Sequence, residues 1–259
     1  MTSAKSLVLR LVLSVWAVAA LAVPGAVRAE SYVGSNVDSR VLVGLKASPD
    51  GVQAMMPEGW TSVPFPAGPL KGANLLLILI DRSIDLDAEG KPLDPASMRA
   101  LVQAGMAKQT DGDAVRLFIL DILTTVPERN PYGVARPADI ARTLSISGPA
   151  NGPRAVSDQW QITPAEGGDV TFSMDFTTGK RSWSPGEAFP FSAATPEFSR
   201  IYRYEQMVDL VVSTSLGKPA SGTYSLSGTG AGLDGVLNGS EEIIAVMDVP
   251  SYVRKVFLP

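Results

Sequence analysis

The chain contains neither cysteine nor histidine. Without cysteine there is no disulfide, no thiolate zinc site and no thiol nucleophile. Without histidine there is no Ser-His-Asp or Cys-His machinery and no imidazole metal ligand. Any catalysis falls to Asp, Glu, Lys, Arg, Tyr, Ser or Thr. A calcium loop of the D-x-[DN]-x-[DN]-G type with its following Glu is also missing. Asp81, Asp85 and Asp87 are the closest acidic cluster, and they read as a solvated loop. The sequence calls for no metal and no cofactor.

Positive charge is the scarcer sign, with 22 basic against 26 acidic residues. Three of the basic residues fall in the first 29 positions, which read as a secretory signal peptide. Lys5 and Arg10 give the positive start, Leu11 to Val23 the apolar segment, and Val27-Arg28-Ala29 the small residues before cleavage. The apolar segment is too short for a span of about 20 residues. Loss of residues 1–29 removes no acid and leaves 22 less three, or 19, basic side chains, for a net charge of −7. That charge argues against nucleic acid or an anionic membrane surface as partner. A periplasmic or secreted chain without disulfides must be held by its core. Residues 30–259 are expected to form one such domain. Stable membrane insertion is not expected after cleavage, and a homo-oligomer is left open.

Long apolar runs are also few. In the mature chain the clearest is Leu75 to Ile80, preceded by Gly and Pro and ended by Asp81-Arg82. Six residues cannot span a membrane, and the absence of alternation predicts a strand buried on both faces. Lys71 and Asn74 before it, and Asp81 and Arg82 after it, are where such a strand presents chemistry.

The remaining elements are mostly strands. Glu30 to Asp38 reads as a loose lead-in and Arg40–Lys46 as a strand. Ser48-Pro49-Asp50 caps a short helix carrying Val52, Met55 and Met56. Asp111-Gly112 is placed in the turn of a hairpin pairing 98–109 with 114–124. Residues 127–137 form a loop long enough to suggest function. Strands are expected at 143–147, 155–163, 169–177, 199–216, 222–229 and 242–248, with residues 183–196 as a connection. Alternation puts Val170, Phe172, Met174 and Phe176 on one face.

Two segments resemble the acetoacetate decarboxylase-like superfamily. One is Arg40 to Trp60, a strand and short helix leaving through Met-Met-Pro-Glu-Gly-Trp. The other is Gly222 to Val246, with Leu237-Asn-Gly-Ser-Glu-Glu-Ile-Ile-Ala-Val246. The resemblance implies an α+β, mainly antiparallel β fold, a cone or barrel with a closed internal cavity and few short helices. Enzymes of that family use an interior Lys as a Schiff-base nucleophile. In the matching stretch, Tyr132-Gly-Val-Ala-Arg-Pro-Ala-Asp-Ile-Ala141, this chain offers Arg136 instead. A guanidinium stays protonated and cannot form an imine.

These features favour an exported, non-catalytic protein that binds a carboxylated or partly apolar small molecule. Arg82, Tyr132 and Arg136 are the candidate ligand-binding residues. The alternative is a Schiff-base enzyme, of decarboxylase or aldolase type, acting on a β-keto acid or aldehyde. Its nucleophile would be a Lys other than the family's own, Lys71 or Lys180.

Overall fold

Strand pairing accounts for most of the chain in the computed structural model, which describes residues 29–230 and 232–259. The signal segment, apart from Ala29, lies outside the described residues. In chain order the elements are β1 (Ser31–Lys46), α1 (Pro49–Ala54), β2 (Trp60–Val63), β3 (Leu75–Leu86), β4 (Met98–Gln109), β5 (Val115–Thr124) and β6 (Ala135–Ser147). They continue with β7 (Ala155–Pro164), β8 (Gly168–Thr177), β9 (Ser182–Ala188), β10 (Pro190–Ser192), β11 (Ile201–Ser213), β12 (Gly222–Gly230) and β13 (Glu242–Leu258).

The strands form one sheet in the order β12-β8-β7-β6-β5-β4-β3-β1-β13-β11-β9, with β10 beside β5 and β2 beside β4. Pairing is antiparallel except where β5 meets β6 and β10. The sheet is not closed by hydrogen bonds, and β12 and β9 are its two ends.

β3 lies between β1 and β4, and its composition follows from two different burials. Leu75, Leu77 and Leu79 pack into the main core with Val41 and Val43 of β1 and Leu101 of β4. The same core takes Trp160 and Ile162 of β7 and the alternating Val170, Phe172, Met174 and Phe176 of β8. Leu76, Ile78 and Ile80 point the other way and line a cavity. An apolar cavity wall and an apolar core together explain the unbroken run.

The hairpin is present as β4 and β5, and α1 begins as read, with Ser48 Oγ accepting from Gly51 N at 3.3 Å. Asn74 closes the start of β3 onto β1. It accepts from Ala47 N at 2.8 Å and donates to Ala47 O at 3.0 Å.

Three expectations need correction. Residues 31–38 are the first half of β1 rather than a lead-in. Asp81 and Asp85 are not in a solvated loop, because β3 runs on to Leu86. Residues 183–196 contain β9 and β10. In the first two segments the inward side chains are polar because they face the cavity, so the usual apolar alternation is missing.

Candidate functional site

The cavity has a volume of about 730 Å³ and lies against the face of β4, β3, β1, β13 and β11, with residues 129–132 also in its wall. Its most charged part is assembled around Asp38, which is 2% exposed. Asp38 Oδ2 accepts from Arg40 Nε at 3.0 Å, and Oδ1 accepts from Arg82 Nε at 2.9 Å. Arg82 Nη1 also donates to Asp85 Oδ2 at 2.9 Å, and Arg129 Nη1 reaches that oxygen at 3.5 Å. Burial disfavours the charge on Asp38, but Arg40, Arg82 and Arg254 outweigh it and hold its pKa below the ordinary value.

Arg254 is held differently. It is 8% exposed, yet no carboxylate lies within 4.0 Å of its guanidinium among the described residues. The Asn36 amide, oriented with its oxygen towards the guanidinium, accepts from Nε at 3.2 Å and Nη2 at 2.7 Å. The guanidinium carbon sits 3.9 Å from the centre of the Tyr202 ring, a cation–π contact. Burial opposes its charge, while Tyr202, Tyr252 and Asp38 favour it, and its pKa remains above the ordinary guanidinium value. Arg200 also lines the cavity, and its buried Nε has no hydrogen-bond partner. Two cations without carboxylate partners therefore face one cavity.

Two phenols share the cavity wall with them. The Tyr132 and Tyr202 hydroxyls hydrogen-bond to each other. Burial first, and then the proximity of Tyr202, raise the pKa of Tyr132 far above the phenolic value, so it stays protonated and can donate. Its backbone carbonyl accepts from Ser192 Oγ, and its ring meets Phe198 edge-on at 5.8 Å. Tyr252 carries Arg40 over its ring at 3.5 Å and stacks on Tyr204 at 4.9 Å. Tyr204 in turn lies across Gly186 of β9, where a Cβ would come within 2.4 Å of the ring.

Among the sequence candidates, Arg82 and Tyr132 both line the cavity. Arg136 does not. Its Nε and Nη2 bind the two oxygens of Asp121 at 2.9 and 2.6 Å, and its Nη1 binds Glu166. Lys71 and Lys180 are exposed, and among the described residues no lysine lines the cavity. Also among the described residues, no three Asp or Glu side chains gather as a metal site.

Sequence reading missed Arg40, Arg200, Arg254, Asn36, Tyr202 and Tyr252 as site residues. The usable signal was period-two spacing: Arg40 with Leu42, and Tyr252 with Arg254 and Val256. These sets share a face once the segments are known to be strands.

The fold is acetoacetate decarboxylase-like. Similar solved structures include the enduracididine biosynthesis enzyme MppR with HEPES bound, which matches 88% of this chain and 86% of its own at a TM-score of 0.57 and 10% identity. MppR complexed with pyruvate matches 90% of this chain and 91% of its own at 0.52 and 10%. An acetoacetate decarboxylase-like enzyme from Sphingomonas wittichii RW1 matches 88% and 91% at 0.54 and 13%. No family model and no curated protein sequence matches the chain.

Proposed function

We propose that this chain is an exported, non-catalytic binding protein that holds a small, partly apolar carboxylate in its cavity and forms no imine with it. One observation carries the reading: Arg254 is buried in the cavity wall without a carboxylate partner. Its charge is held by Asn36, the tyrosines and the more distant Asp38, and with no carboxylate in contact it can take that of a ligand as a direct partner. Arg200 and the protonated Tyr132 add donors beside it. MppR, whose fold is similar, forms a complex with pyruvate, which is a carboxylate. The exposure of Lys71 and Lys180, and the lack of any lysine in the lining among the described residues, speak against the Schiff-base alternative. Export rests on the pattern of residues 1–29.

The test uses the chain from residue 30 onward. Incubation with acetoacetate, pyruvate and simple carboxylates, followed by borohydride and intact mass measurement, should give no covalent adduct. Native mass spectrometry of the same mixtures should show a non-covalent carboxylate complex that Arg254→Gln loses. A borohydride-trapped adduct on one lysine would overturn the reading.

A further inference from the structure

The polarity of the cavity wall is graded along the strands. Cross-strand pairing sets side chains of neighbouring strands in rows. One row crosses the sheet as Val102, Ile78, Leu42 and Met247, all cavity-lining and all apolar. Two residues further along comes the row of Ile80, Arg40 and Val249, where the first charge enters. Beyond it lie Arg82 and Tyr252 on either side of Asp38, and then Asn36 beside Arg254. From Leu42 to Asn36 is six residues of β1, which corresponds to about 20 Å of strand. The cavity is therefore long, apolar at one end and cationic at the other.

A short keto acid satisfies only the cationic end. It would leave the wall of Val102, Ile78, Leu42 and Met247 facing water. We propose that the ligand class is an acyl-chain carboxylate, an unbranched amphiphile of medium length. Its carboxylate lies at Arg254 and Arg200, and its tail runs along β3 towards Leu76. This deepens the reading above and rests on it. The two cations without carboxylate partners fix the head, and the apolar rows fix the tail. No bond is made or broken.

The test is a chain-length series, from butyrate to dodecanoate, measured by calorimetry against the chain from residue 30 onward. The matching primary alcohols serve as headless controls. Affinity should rise roughly fourfold per methylene until the tail fills the apolar end. Each alcohol should bind more weakly than its acid. Ile78→Phe, which projects a larger side chain from the apolar row, should shorten the preferred chain and weaken dodecanoate more than butyrate. Should Ile78→Phe fail to fold, Val102→Leu probes the same row. Affinity that is flat with chain length while acids still beat alcohols overturns the acyl proposal and leaves the carboxylate reading standing. Alcohols binding as tightly as acids overturns both.

Discussion

Arg82 donates from Nε to Asp38 Oδ1 at 2.9 Å, and the Asp38 side chain has no exposed surface. The same carboxylate also neutralises Arg40. Its loss would leave two guanidinium groups facing each other across a buried gap. Removing one member of a buried ion pair typically costs about 3–5 kcal/mol. Asp38→Ala should fall in that range by urea denaturation. Arg82→Leu should cost less, because Asp38 keeps Arg40. Equal losses for the two variants would show that Asp38 is not the shared counter-ion.

The two faces of β3 should respond differently to truncation. Leu77 is fully buried in the main core, and Leu77→Ala should cost about 3 kcal/mol. Ile78 borders space that is already open, so Ile78→Ala should cost about 1 kcal/mol. If Ile78→Ala matched Leu77→Ala, the cavity would be filled in solution by side chains.

Arg136 and Arg254 should separate stability from binding. Arg136→Ala breaks the pairing with Asp121 and Glu166, which are only partly screened, and should lose about 1 kcal/mol of stability. Carboxylate affinity should be unchanged, because the side chain lies outside the cavity lining. Arg254→Gln should do the reverse to affinity and abolish it. Weakened carboxylate binding in Arg136→Ala would return that residue to the site.

Asp248 makes stability fall with rising pH. Burial, with Asp158 and Asp209 nearby, pushes its pKa up to about 7, against the partial compensation of Arg181 and Arg142. The folded chain therefore holds a proton that the unfolded chain has released between the ordinary carboxyl value of 3.8 and about 7. Across that window stability should drop by up to about 1.4 kcal/mol per pH unit relative to Asp248→Asn, and the gap should be constant above it. The absence of histidine leaves few other side chains to titrate between pH 5 and 8. Parallel curves for the two proteins would rule the assignment out.

What could be read from the sequence was whatever follows the ordinary rules of burial. The run 75–80, the Asp111-Gly112 hairpin, the Ser48-Pro49 cap and the alternation of β8 each obey a local rule, and each is present. The rule fails where strands turn polar side chains inward. Asn36 and Asp38 look like a solvated lead-in because their partners, Arg254 and Arg82, lie 44 or more residues away. Arg82, which adjoins an obvious strand, and Tyr132, which sits in a conspicuous loop, both line the cavity. Arg136 was misplaced because sequence alone does not show that Asp121 and Glu166 hold it elsewhere.

In β13, Pro250 and Ser251 together face the single residue Ser39, since Val249 pairs with Arg40 and Tyr252 with Asp38. That one extra residue switches which side chains of β13 point inward, from Met247 and Val249 before it to Tyr252 and Arg254 after it. Were Ser251 to pair with Asp38, with no residue looped out, the remainder of the strand would be turned over. Arg254 would leave for solvent, and Val253 and Lys255 would point inward in its place. Whether this cavity presents a guanidinium or a primary amine thus depends on one bulge, and deleting Ser251, which removes the bulge together with its extra residue, keeps the guanidinium inside.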